Sequence, residues 1–280
     1  MKPILPSFSQ TLGETFRLYK LSALPVIFVT IAAGIIGFVF AVMLVLLMLI
    51  TSKTLLSLGI FGGMVLFLLG LLAFIIFIVI NTLGTLTSIL IINTKDRKAA
   101  TNIWAIVKNQ VKNIFPYLVI SVLSGLIVFT GILMLIIPGI VFSFWFSLAT
   151  YVLIFENQKG VKALISSRDL VRGKVFLYII AFPIILNIIQ WLIGYILQQI
   201  KIGYLSILIN ILILPLYTIY FYVIYKYLNC NRTGMPKITN GRVNKYKLMA
   251  TIPLILVVAV IFITIYTLGA DFTADLLSFL

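Results

Sequence analysis

The sequence predicts an all-α fold: a polytopic helical integral membrane protein of about seven transmembrane helices, with its N-terminus inside. Three observations carry that reading. The chain is 62% hydrophobic and only 10% charged, where a soluble domain carries about 25% charged residues. It contains six uncharged runs of the roughly 20 residues a helix needs to cross a bilayer: residues 21–52, 54–94, 113–155, 175–200, 202–225 and 248–270. Its 21 Lys and Arg, against 6 Asp and Glu, sit in short segments between those runs, which is the signature of membrane topology.

The start, MKPILPSFSQTLGETFRLYK, lacks the apolar core and small-residue cleavage site of a signal peptide, so the first run is expected to stay as a span. Residues 113–155 are long enough for two spans, and Pro138 and Gly139 stand near their midpoint as the expected tip of a helical hairpin. That tip either crosses to the far interface or forms a re-entrant loop buried among helices, because backbone freed at membrane depth finds little water. Ser143, Trp145, Ser147 and Thr150 follow it, three hydroxyls for nearby carbonyls and an indole suited to an interface.

The 54–94 run is read as one helix on the strength of charge. With a single crossing there, 19 of the 21 Lys and Arg fall in segments 1–20, 95–112, 156–174 and 226–247, all on the cytoplasmic side, and only Lys53 and Lys201 lie outside. A second crossing would scatter them. Seven spans then place the C-terminus outside, with Asp271 and Asp275 on the outer tail.

Three stretches, TFRLYKLSALP, WAIVKNQVKNIFP and LVRGKVFLYIIAFP, each run a basic segment into a span that holds a proline. In the middle one, Ile106, Val111 and Phe115 line up beside Lys108 and Lys112, the pattern of an interfacial helix. The chain therefore divides into three units of basic helix plus hairpin followed by an added span. Residues 1–229 form a six-helix core, 230–247 a basic cytoplasmic connector, and 248–280 the extra transmembrane helix with a short outer tail.

Candidate sites are few. Glu156, Ser167, Arg168, Asp169 and Arg172 gather after the fourth span, as a lipid-headgroup site or as a structural network holding an amphipathic helix to the bundle. Asn187, Gln190 and Asn210 are polar residues inside spans five and six, where buried amides join helices or line a pocket. The tyrosines from Tyr217 to Tyr227 read as an aromatic belt at the inner interface, and Pro215 as a kink in span six.

Chemistry is largely excluded. There is no histidine, and Cys230 is the single cysteine, so disulfide frameworks, Cys/His metal sites and Ser-His or Cys-His pairs are ruled out. No catalytic, cofactor-binding or metal-binding residue is expected. Charge is missing from the interiors of the spans, which argues against proton- and ion-coupled transport. The net charge of +15 is explained by topology, with no aromatic-basic platform for nucleic acid. The expected partners are membrane lipids, anionic ones at the basic segments, or another membrane protein.

The stretch LMLIIPGIVFSFWFSLATYVLIFENQKGVKALISSRDLVRGK carries an apolar Pro-Gly turn, a span ending in an acid, and a short amphipathic helix ending in glycine. On Pro138, Gly139, Glu156, Ala163, Leu164, Ser167, Leu170, Val171 and Gly173 it resembles the membrane-domain family joined to glycerophosphoryl diester phosphodiesterases and its uncharacterised stand-alone bacterial relatives. Ser166 and Arg168 depart from the residues usual there, and the 248–270 span is an addition. The resemblance implies a helical bundle in the plasma membrane. It carries no catalysis, since the phosphodiesterase barrel and its metal-binding residues are missing from this chain.

The sequence thus points to a non-catalytic bacterial membrane module in envelope function, associating with lipid or a partner. The alternative is a transporter or permease subunit for an uncharged or lipid-like solute.

Overall fold

The computed structural model describes residues 7–56, 60–96, 102–172, 175–230, 238–256 and 258–259. Most of these residues are helical, and no strand occurs among them. The order is α1 (Phe8–Leu56), α2 (Ile60–Asp96), α3 (Ile103–Gln110) with a 3-10 turn over Val111–Asn113, α4 (Ile114–Met134), α5 (Ile136–Trp145), α6 (Ala149–Glu156), α7 (Val161–Val171), α8 (Val175–Gln199) and α9 (Leu205–Cys230). Residues 240–256 are also helical.

Among the described residues, six helical stretches are long and apolar enough to cross a membrane, α5 and α6 together counting as one. Of the 54–94 run, residues 54–56 end α1 and residues 60–94 lie in one helix, α2, the single helix that charge implied. The start of α1, the end of α2 and the end of α9 meet in ion pairs, so the basic segments at those three places share one end of the bundle. The stretch expected as a seventh span is helical over 248–256 and 258–259, and its remainder lies outside the described residues together with Asp271 and Asp275.

The core lies toward the basic end. Leu18, Val26 and Val29 of α1, Ile89, Ile91 and Ile92 of α2, Ile127 of α4 and the inner faces of α6, α7 and α9 form one buried cluster. The short helix α7 is its keystone: eight of its eleven residues are buried, Ala163, Leu164, Ile165, Ser166 and Ser167 among them. The basic segment before the third hairpin is therefore a core element, and the one before the second hairpin, α3, shows Trp104 and Lys108 at the surface. In the first unit no break separates segment from span, because Pro25 is absorbed inside the continuous α1.

Pro215 sits inside α9, where its missing N–H leaves the Ile211 carbonyl without its i+4 donor. One residue on, the Leu212 carbonyl accepts from the Tyr19 hydroxyl at 2.8 Å, which ties α1 to the loosened turn.

The second hairpin turns earlier than Pro138 and Gly139. α4 ends at Met134, Leu135 is extended (φ −167°, ψ 146°), and α5 starts at Ile136. Pro138 therefore falls in the first turn of α5, where a missing N–H has no intrahelical partner to lose. Gly139 serves packing: a Cβ there would overlap the Ile132 side chain and stand 2.8 Å from the Ile132 nitrogen. Gly131 faces it, with a Cβ of its own 2.8 Å from the Gly139 Cα. Glycines at this crossing let the backbones of α4 and α5 touch. The first hairpin closes by the same device, a Cβ on Gly84 falling 2.7 Å from that of Ala33.

The first hairpin is longer than the others. Its uncharged run 21–52 spans about 48 Å as a helix, so a 30 Å hydrocarbon slab would hold it only at a tilt of about 50°, past the usual 0–40°. The buried side chains of α1 are Thr11, Thr15, Leu18, Ser22, Val26 and Val29, all in its first half. Beyond them Ile35, Ile36, Phe38, Phe40, Met43, Leu46 and Leu49 are exposed, as are Phe61, Met64, Phe67 and Leu68 on the returning arm.

Candidate functional site

The residues expected to gather after the fourth span are distributed over separate contacts. Span four is broken: α5 stops at Trp145, residues 146–148 form a turn, and α6 begins at Ala149. Hydroxyls cluster on the carbonyls around the break. Ser143 donates to the Ile140 carbonyl at 2.7 Å and Ser147 to the Phe144 carbonyl at 2.8 Å. Ser167 reaches across from α7 to the Trp145 carbonyl at 2.7 Å. The Arg168 guanidinium lies over the Trp145 ring, 4.7 Å from its centroid, a cation–π contact. Ser167→Ala should cost about 1 kcal/mol, read as a lowered midpoint in detergent-solubilised thermal unfolding; an unchanged midpoint would mean that the carbonyl finds another donor.

Asp169 does not pair with its neighbours. It accepts from Arg242, 2.6 Å away, and this pair ties α7 to the helical stretch 240–256. The nearby carboxylate holds the Arg242 guanidinium above its ordinary pKa, while burial pushes the Tyr246 phenol up. Glu156 instead accepts from Gln158 at 3.0 Å and from the Tyr225 hydroxyl at 3.2 Å. Arg172 is exposed, and Gly173 is outside the described residues. Among the described residues, Ser167 and Arg168 thus hold α7 to Trp145, Asp169 holds it to Arg242, and Glu156 is linked to it through Gln158, which accepts from Ser166. The physical reason is helix geometry: Ser167 shares the inward face of α7 with Ala163, Leu164, Leu170 and Val171, whereas Asp169 and Arg172 lie off that face.

The intramembrane amides divide in the same way. Gln190 of α8 donates to the Asn210 carbonyl of α9 at 3.2 Å, and the Tyr217 hydroxyl donates to Gln190 at 3.1 Å. Asn187 stays out of this group, its amide turned back to the Pro183 carbonyl at 2.8 Å. Around the joined pair is a cavity of about 430 Å³, lined by Trp191, Tyr195, Gln198 and Ser206 as well as the two amides.

Three of the five tyrosines of the expected belt, Tyr220, Tyr222 and Tyr225, are core residues, and Tyr217 and Tyr227 are half-buried. Tyr220 is fully buried, its ring stacked 3.8 Å from Phe182 and its hydroxyl on the Tyr178 carbonyl at 2.8 Å. Tyr225 stacks on Phe155 at 5.4 Å. Tyrosine buries its ring while its hydroxyl finds an acceptor, so each one staples α9 to a different neighbour.

One cluster escapes sequence reasoning. Arg17 of α1 bridges Glu14 (2.7 Å) and Asp96 at the end of α2 (2.9 Å), and Lys226 of α9 reaches Asp96 at 2.6 Å and Glu14 at 3.7 Å. The Tyr222 hydroxyl adds bonds to Asn93 (3.0 Å) and Asp96 (3.2 Å). Asp96 is the hub, its side chain only 6% exposed. A second cavity of about 400 Å³ opens beside it, lined by Asn93, Asp96, Phe155, Tyr222, Tyr225 and Lys226. The partners are as many as 130 residues apart, so the signal available in the sequence was that acids are rare in this chain and that Asp96 stands just past the end of an apolar run.

Compared with known proteins, the chain matches no family model, no curated protein and no solved structure.

Proposed function

We propose that this chain is a non-catalytic membrane module that associates with lipid or with a partner membrane protein through its spans. The observation that carries this reading is the first hairpin, whose far half exposes a continuous run of large apolar side chains on an arm whose uncharged stretch is longer than an untilted bilayer core. Such a surface needs lipid or another apolar protein against it. The carboxylates support the same reading: Glu14, Asp96, Glu156 and Asp169 are each held by a partner that joins one helix to another.

The setting we propose is a bacterial plasma membrane, with the basic end in the cytoplasm. Lys20, Lys108, Lys112, Lys162, Arg172, Lys245 and Lys247 are exposed, and each adds about 1 kcal/mol of attraction to an anionic leaflet. Membership of the phosphodiesterase-associated membrane-domain family is part of this proposal. It is supported by the placement of the matching residues: Ala163, Leu164, Ser167, Leu170 and Val171 are the buried face of α7, and Gly139 is the close contact of the second hairpin. A second reading, transport of an uncharged or lipid-like solute, draws on the uncharged cavity between α8 and α9.

Native mass spectrometry of the protein released from its own membrane tests the proposal. Lipid of a defined class, or a stoichiometric protein, should be retained on the chain. A bare chain under conditions that preserve other membrane complexes would contradict it.

A further inference from the structure

The cavity between α8 and α9 has an unusual lining for its position. Gln190 stands about 22 Å, and Gln198 about 34 Å, along α8 from its start at the basic end, so the cavity runs from the depth of the membrane to the far interface. Its polar lining is Gln190, Gln198, Ser206 and Asn210, all uncharged, with Trp191 and Tyr195 beside them. Gln190 and Asn210 satisfy each other in part. The side chains of Gln198 and Ser206 make no hydrogen bond among the described residues, and the Asn210 amide nitrogen makes none either. At the depth of Gln190 an amide left open, as the Asn210 nitrogen is, costs free energy unless something pairs with it, and Gln198 and Ser206 add open polar groups toward the interface.

Space for that partner exists. A Cβ on Gly194 would meet nothing within 4 Å, and one on Gly203 only the Gln198 Cα at 3.9 Å. Trp191 and Tyr195 stack with centroids 6.0 Å apart and an interplanar angle of 19°, and both are exposed. The cavity therefore offers amide and hydroxyl groups, which both donate and accept, next to flat aromatic faces. No cation lines it to hold a phosphate, and no carboxylate lines it to hold an amine. The ligand these features suit is uncharged, rich in hydroxyls, and equipped with C–H faces to lie on aromatic rings.

We propose that the α8–α9 cavity binds a glycosyl group, presented as the headgroup of a neutral glycolipid or as a free sugar. This deepens the lipid-association reading and rests on it for the glycolipid source.

The test is native mass spectrometry of the full chain in a polyoxyethylene detergent, because alkyl maltosides carry the very group in question. A glucosyl diacylglycerol, the matching diacylglycerol, phosphatidylglycerol and free maltose are titrated separately. The expected result is at least tenfold tighter retention of the glucosyl lipid than of either other lipid. Gln198→Leu and Ser206→Ala should each reduce that preference several-fold while diacylglycerol retention and the thermal midpoint stay unchanged. Maltose bound with equal preference, and lost in the same variants, would assign the cavity to a free sugar. Equal retention of the three lipids without maltose binding, or a preference for phosphatidylglycerol, would overturn the glycosyl site and leave lipid association standing. Retention of no lipid at all would overturn both.

Discussion

Gly139→Leu should disrupt the second hairpin and lower stability by about 3 kcal/mol, the upper end of what overpacking costs. Most overpacked sites relax by moving a flexible side chain. Here a Cβ at Gly139 meets the backbone nitrogen of Ile132 at 2.8 Å as well as its side chain, so α4 and α5 would have to separate. Separation pulls α5 from α7, which loses the Trp145 carbonyl as acceptor for Ser167. The effect should appear as a large drop in the thermal midpoint, or as failure to accumulate in the membrane. Gly125 on the same α4 provides the comparison: a Cβ there meets nothing within 4 Å, so Gly125→Leu should change stability by less than about 0.5 kcal/mol. Equal effects at the two positions would show that the crossing is not set by glycine.

Asp96→Ala should lower stability by about 2–3 kcal/mol, because it leaves Arg17, Lys226 and Tyr222 around a buried point without their shared acceptor. The loss stays below that of a fully buried pair, since the Arg17 and Lys226 side chains are 46% and 39% exposed and water screens them. Lys226→Met should cost less than Asp96→Ala. The double variant should be more stable than the sum of the single losses, with a coupling of about 1 kcal/mol in thermal unfolding. Strict additivity would mean that Asp96 holds α9 by some other contact. Because Glu14 is 3.7 Å from Lys226, its substitution should give a smaller coupling of the same sign.

These two sites mark what was legible in the sequence and what was not. Periodic composition and charge located the helices, because crossing a bilayer demands long apolar runs and basic flanks. The same logic pointed to one helix in the 54–94 run, and residues 60–94 of it lie in α2. Pro138 and Gly139 were legible as special but misread in detail: sequence signals a break, whereas tertiary contact shows that Leu135 turns the chain and Gly139 admits Ile132.

The α9 tyrosines illustrate a second limit. Composition alone does not distinguish a ring at the lipid interface from a ring in the core. The distinction depends on acceptors such as the Tyr178 carbonyl and Glu156, which lie on other helices. Residues close in sequence also proved poor guides to pairing, since Asp169 found Arg242, 73 positions on, and not Arg168 or Arg172. The Gln190–Asn210 contact was foreseen because both amides stand at similar depth on adjacent spans, and equal depth in an antiparallel hairpin implies proximity.

The proposed lipid contacts and the assignment of the glycosyl cavity to the far interface both presume a bundle whose basic end is cytoplasmic. The lone thiol tests this most directly. Cys230 is free and exposed at the end of α9, three helical turns or less from the hub at Asp96 through Lys226. Treating intact cells with a membrane-impermeant maleimide should leave Cys230 unlabelled, and permeabilising the cells should label it fully. Labelling in intact cells at the rate seen after permeabilisation would place the basic end outside and contradict the proposed orientation.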